Sequence, residues 1–264
     1  MSDFSDRVRR LPEDTLAALS FFSRVPVHNP PGIFDLSRSA GGWPLAGLLI
    51  AVAPATIVVL NGWLGIPGLV TAFLAIAAGI AMTGALHEDG LADTFDGLGG
   101  GRRGKAQRLA IMRDSRLGTF GALALVLALL IKGSALAVLA VHPSRAVLAL
   151  LGIAMVSRAL TLWHWSVTPP ARHDGMAFAA GQPDTAALQI GLLSGLAAAI
   201  VLVIAFGWAA LIGIALAALA IGYFSSLVNR RIGGHTGDTI GAAQQVAETL
   251  LFVGLSSVST TILA

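Results

Sequence analysis

The sequence predicts an all-α, polytopic integral membrane bundle of about seven transmembrane helices with its N-terminus in the cytoplasm. Three observations carry this. Mean hydropathy is +0.79, and only 12% of the 264 residues are charged, about half the share found in a soluble domain. Apolar segments of about 20 residues, the length that crosses a bilayer, recur along the chain. Lys and Arg gather in every second connection, the pattern that orients membrane proteins.

Seven segments qualify: roughly 43–61, 65–86, 118–140, 145–167, 188–206, 208–228 and 243–263. The first two are joined by a tight "NGWLGIPG" turn, and the fifth and sixth almost touch at Gly207-Trp208. Glycines inside the segments, as in "GLLSGLAAA", permit close helix approach. No low-complexity stretch or long linker divides the chain, so 1–264 reads as a single domain with an N-terminal segment (1–42) and a polar loop (87–117). The early run "LAALSFFSRVPV" is broken by Arg24 and Pro26; it is too short to span and reads as interfacial.

Arg7, Arg9, Arg10, Arg24 and Arg38 precede the first span. Arg102, Arg103, Lys105, Arg108, Arg113 and Arg116 lie in the 87–117 loop, Arg172 in 168–187, and Arg230 and Arg231 in 229–239. The opposite loops hold only Arg145. The basic side is therefore the expected cytoplasmic face of a multi-pass inner-membrane protein. The net charge of +3, with a pI near 10.2, suits anionic lipid or phosphate-bearing substrates but forms no long basic run for nucleic acid. The absence of Cys excludes disulfides, thiolate metal sites and cysteine nucleophiles.

Three polar motifs fall on that face. In "HEDGLADTFDG" (87–97), Asp89, Asp93 and Asp96 are spaced four and three apart. On a helix they share a sector of roughly 60°. Like charges so placed repel, and an Asp at bilayer depth costs about 2.5–3.5 kcal/mol. A hard divalent cation compensates both, and magnesium suits a few carboxylates plus substrate phosphates; the alternative is a solvated acidic loop. Glu88 sits off that face, and His87 reads equally as a ligand or a hydrogen-bonded interface residue.

In "RDSRLGTFG" (113–121), Asp114 and Ser115 cap the following helix on one reading. On the other, Arg113 and Arg116 bind phosphate at the helix N-terminus, and Asp114 is a further carboxylate of the site. In "NRRIGGHTGDTIGA" (229–242), Asp238 or Thr239 caps the last helix, or Arg230, Arg231, Gly234, Thr236, Gly237 and Asp238 form a phosphate- or nucleotide-contacting loop. The glycine pattern matches neither a P-loop nor a dinucleotide fingerprint. Arg158 either snorkels or faces the acids or a substrate phosphate. Lys132, deep in the third span, has no assignment, and Trp163, His164 and Trp165 read as an interfacial belt.

The motifs "FFSRVPV", "HEDGLADTFDG", "IMRDSRLGTFG", "VSRAL" and "GGHTGDTIGA", in this order, resemble the cobalamin synthase (adenosylcobinamide-GDP ribazoletransferase) family from about residue 21 to 250. The resemblance implies a magnesium-dependent membrane transferase that joins adenosylcobinamide-GDP to α-ribazole or its 5′-phosphate and releases GMP. The resemblance does not itself assign a role to each residue; the residues read on their own fit that chemistry, with magnesium expected on Asp89, Asp93 and Asp96, phosphate oxygens on Arg113, Arg116 and Arg158, and Asp238 or Asp96 as proton acceptor. Two other classes compete. A CDP-alcohol phosphotransferase also sets several Asp at a membrane face, but in a different motif. A cation transporter would place its acids nearer the midplane. The sequence leaves the oligomeric state open.

Overall fold

The computed structural model describes residues 2–27, 36–100 and 104–257, and every regular element among them is helical. The long helices follow the apolar segments: α3 (Trp43–Leu64), α4 (Gly68–Thr83), α7 (Thr119–Leu139), α8 (Pro143–Val167), α10 (Thr185–Phe206), α11 (Trp208–Ile232) and α12 (Gly237–Ser256). α3, α7, α8, α10 and α11 are each long and apolar enough to span, and α4 joined to the helix after it makes a sixth candidate. α12 carries the seventh expected segment, of which 258–263 lies outside the described residues, as do Arg102 and Arg103. Shorter helices complete the chain: α1 (Ser2–Phe22), α2 (Leu36–Ser39), α5 (Leu86–Gly100), α6 (Lys105–Met112) and α9 (Met176–Ala180).

Side chains sort as they do in lipid. On α7, Leu123, Val126, Leu127, Leu130 and Ile131 point outward, while Gly121, Lys132, Leu136 and Leu139 point in. Small residues bring helices together: a Cβ on Gly213 of α11 would stand 3.1 Å from the Gly254 Cα of α12. The N-terminal segment, its apolar run too short to span, is seated on the bundle. α1 packs against α3 and α10, burying Ala18, Leu19 and Phe22. The interfacial belt is corrected: His164 and Trp165 are buried, His164 bonded to Ser225 of α11 and Trp165 stacked on Trp43 of α3. An aromatic ring near a span's end satisfies either placement, and only the neighbours decide.

One corner positions the acidic motif. α4 and α5 meet at 91° because two successive residues, Gly84 (φ 66°) and Ala85 (φ 63°), take the left-handed conformation. Ala85 does so at a cost that non-glycine residues rarely bear. Arg24 braces the corner: its backbone N–H donates to the Met82 carbonyl at 2.7 Å, and its guanidinium fills the space a Cβ at Gly84 would take. α5 consequently leaves the span and lies across the end of the bundle. The N-termini of α7 and α12 and the C-terminus of α8 reach the same end, as the alternation of spans requires.

Candidate active site

α5 seats its carboxylates in three environments. Asp89 is exposed, Asp93 half-buried and Asp96 buried. Asp96 turns to α7, whose N-cap is Gly118 and offers no side-chain acceptor. Its two carboxylate oxygens accept the Gly118 N–H at 2.7 Å and the Gly121 N–H at 2.8 Å. A side chain at Gly118 would collide with that carboxylate. Asp96 thus caps α7 from another helix, and neither Asp114 nor Ser115 does. α12 is likewise capped differently from the expectation: Thr236 is the N-cap, in a reciprocal capping box with Thr239.

Asp93 faces the remaining acids. Its pKa is pushed up to about 6, first by burial and then by the charges of Asp89, Asp238 and Asp96. Asp238 arrives from α12 because Gly90 lets α5 approach it: a Cβ there would stand 2.7 Å from the Asp238 carbonyl oxygen. The Thr236 hydroxyl donates to the Asp238 carboxylate at 3.1 Å. Two helices far apart in sequence, α5 and α12, therefore bring Asp89, Asp93 and Asp238 to one place.

The basic residues divide. Arg116 pairs with Asp114 at 2.6 Å on the exposed loop and holds that carboxyl down at about 2, so each is engaged by the other. Arg113 pairs with Asp174 at 2.5 Å and also acts on Asp238. Arg230 and Arg231 stand exposed on the last turn of α11, away from the cavity that the acids line. Arg158 is 4% exposed, which excludes snorkelling. Its Nη1 donates to the Ala154 carbonyl at 3.1 Å, and its guanidinium lies 5.8 Å from the Phe22 ring centre.

Arg172 is the residue that sequence reasoning missed, because it stands in no motif. The structure brings it in through the "GGHTGD" loop. The His235 N–H donates to the Pro169 carbonyl and the Ala171 N–H to the His235 carbonyl, both at 2.8 Å. Gly234, at φ 140°, occupies a position where any Cβ would overlap the Pro169 carbonyl. His235 is buried, its ring bonded to the Thr168 carbonyl at 2.8 Å, and burial holds it below its ordinary pKa. This pairing sets Arg172 beside Asp238, on whose charge it acts.

A cavity of about 350 Å³ opens among these groups. Asp89, Asp238, Gly237, Arg158 and Arg172 line it, as do Trp43 and Gln244. Four buried polar atoms of its lining residues have no protein partner: Arg158 Nε, Arg172 Nη1, Trp43 Nε1 and Gln244 Oε1. Three of the four are donors. Buried polar groups are seldom left so in native structures, and a ligand rich in acceptor oxygens satisfies them.

Behind this cavity a polar network crosses the bundle interior. Lys132 of α7 donates to the Gln245 side chain of α12 at 2.7 Å and lies 3.7 Å from Glu248. Gln245 in turn donates to Glu88 of α5 at 2.9 Å, and Gln244 donates to Glu248 at 2.9 Å. α7 therefore grips α5 twice, through Lys132–Gln245–Glu88 and through Asp96 at its own N-terminus, and so sets the direction in which Asp89 and Asp93 point.

Among the described residues no three acidic or histidine side chains close into a ready-made metal chelate. Magnesium does not demand one. It is commonly held by one or two carboxylates, water and substrate phosphates, and the mutually repelling Asp89, Asp93 and Asp238 fit that use.

The chain is similar to known proteins along most of its length. The family model described as Cobalamin-5-phosphate synthase matches residues 14–256. The chain is 45% identical over 253 residues to the adenosylcobinamide-GDP ribazoletransferase of Rhizobium etli (strain CIAT 652), covering 92% of this chain and 96% of that one. It is 45% identical over 257 residues to the protein of the same name from Sinorhizobium medicae (94% and 98%). A third so named, from Azorhizobium caulinodans, is 45% identical over 260 residues (94% and 97%). No solved structure matches significantly.

Proposed function

Because the chain belongs to the cobalamin-5-phosphate synthase family, we propose that it joins adenosylcobinamide-GDP to α-ribazole, or α-ribazole 5′-phosphate, and releases GMP in a magnesium-dependent transfer. The observation that supports this most directly is the cavity whose unpartnered donors, on Arg158, Arg172 and Trp43, stand with the carboxylates of Asp89 and Asp238 at one end of a membrane bundle. A hydroxyl of the nucleoside attacks the phosphorus on the cobinamide side of the diphosphate. A new O–P bond forms, the P–O bond to GMP breaks, and the hydroxyl proton must leave. Asp238 takes it rather than Asp96, whose two oxygens both accept backbone N–H groups. Arg158 and Arg172 hold the non-bridging oxygens as charge shifts toward GMP. Asp89 and Asp93 would hold magnesium, which supplies charge neutralisation on the diphosphate.

Purified protein incubated with both substrates and magnesium should release GMP, and EDTA should abolish the release. No GMP from either α-ribazole or its 5′-phosphate would overturn the reading. A second expectation follows from Asp93. Its raised pKa means that the stability it lends is complete below the ordinary carboxylate range and is lost as pH rises through about 6. Magnesium-free protein should thus lose melting temperature across that window. Added magnesium should restore it above pH 6 and have little effect at pH 5.

The arginines make a third expectation. Arg158→Lys, which removes the planar fork of donors, should cost about one to two decades in kcat/KM for adenosylcobinamide-GDP. Arg172→Ala should cost as much, whereas Arg231→Ala should be silent. Equal kinetics for Arg172→Ala and wild type would remove Arg172 from the site.

The active end faces the cytoplasm on the distribution of Lys and Arg. As the chain has no Cys, single cysteines report sidedness directly. Lys105→Cys and Arg231→Cys should be labelled only from the cytoplasmic side, and Trp63→Cys and His142→Cys only from the other.

A further inference from the structure

The cavity is not uniform. Its charged groups are carried by α5, α8, α12 and the loop holding Arg172, while much of the remaining wall is aromatic: Phe21 and Phe22 of α1, Trp43 of α3 and Trp165 of α8. These rings form one packed cluster. Trp43 and Trp165 stack with centroids 4.9 Å apart and 9° between planes. Phe22 meets Trp43 edge-on at 4.9 Å and stacks on His87 at 5.6 Å. Within this aromatic cluster, Trp43 brings a buried indole N–H that has no acceptor.

Three pieces of substrate compete for such a wall. The corrin macrocycle with its side chains is far too large for about 350 Å³, a volume at the small end of the range for ligand pockets. Guanine carries two donors and an acceptor along one edge, and an aromatic wall leaves them unpaired at a substantial desolvation cost. A methylated benzimidazole is flat and apolar and has one free ring nitrogen, an acceptor. It matches both the stacking surface and the single N–H.

Resting on the function proposed above, we propose that Phe21, Phe22, Trp43 and Trp165 seat the benzimidazole base of the nucleoside substrate, with the Trp43 N–H donating to its free ring nitrogen. The attached ribose then points its hydroxyls toward Asp89 and Asp238. The same wall selects among bases. An adenine in that place carries an exocyclic amine, and the carboxylate and amide acceptors that line the cavity, Asp89, Asp238 and Gln244, belong to α5 and α12 rather than to the four rings of the wall.

Equilibrium dialysis of α-ribazole against the full-length protein in nanodiscs, beside steady-state kinetics, tests this. Trp43→Phe keeps an aromatic ring, though a smaller one, and deletes the N–H. It should weaken α-ribazole binding and raise its KM about tenfold, leaving the KM for adenosylcobinamide-GDP unchanged. Phe21→Ala, at a half-buried position where folding is less at stake than at Trp165, should do the same. The α-linked adenine nucleoside should bind at least tenfold more weakly than α-ribazole. A rise in the KM for adenosylcobinamide-GDP alone, or equal binding of the two nucleosides, overturns the assignment. Should the wild type release no GMP, the proposed reaction fails, while dialysis with α-ribazole alone still decides the subsite.

Discussion

Asp93→Asn should lower GMP release by about two to three orders of magnitude, the cost of removing a group that balances charge in the transition state, with folding intact. The amide keeps the shape of the carboxylate but deletes a charge that Asp89, Asp93 and Asp238 would together offer to the proposed magnesium. The apo protein should even gain stability near neutral pH, because the repulsion among these acids is relieved. Asp96→Asn is the informative contrast. An amide presents one acceptor oxygen where two N–H groups wait, so this variant should lose about 1 kcal/mol in helix capping and melt earlier. Wild-type turnover and magnesium dependence in Asp93→Asn would return α5 to the status of a solvated acidic helix.

Lys132→Met should be the most destabilising single change outside the site, by about 3–5 kcal/mol. Lys132 is buried in the bundle interior, and its removal leaves Glu248 without its cation and Gln245 without its donor. Thermal unfolding in detergent measures the loss. The double variant Lys132→Met/Glu248→Gln removes both charges and should recover most of it. If the single variant unfolds like the wild type, the network is not part of what holds α5 in place.

Much of the fold was legible because hydropathy is a local property: the first six apolar segments and the α-helices that carry them share their bounds to within four residues, while α12 opens six residues before its segment. The convergence of the motifs at one end was legible too, since it follows from counting spans. What the sequence concealed was pairing. Asp96 stands in helical register with Asp89 and Asp93, and register alone assigned it to the same cation; its partners lie 22 and 25 residues on. A signal was available, for a helix opening at "LGTFG" without a capping side chain of its own needs an acceptor from elsewhere. Lys132 could not be placed because Gln245 is 113 residues away. Arg172 carried no motif at all, and only the backbone pairing of Pro169 with His235 brings it to Asp238. Arg116, by contrast, sits inside a motif and spends its guanidinium on its neighbour Asp114.

The corner at Gly84-Ala85 has a consequence for the lipid around it. Because the chain turns away there, α4 has only 16 residues, a rise of about 24 Å, where the hydrocarbon core of a bilayer is about 30 Å thick. A helix that short draws the headgroup layer inward beside it. Such thinning would set the acids of α5 below the mean plane of the membrane surface while leaving them in contact with water. On the function proposed above, a corrinoid held at the surface and a small nucleoside from solution would meet there without either crossing the hydrocarbon. Acyl-chain length, through its effect on that local thinning, becomes a determinant of how readily the two substrates meet.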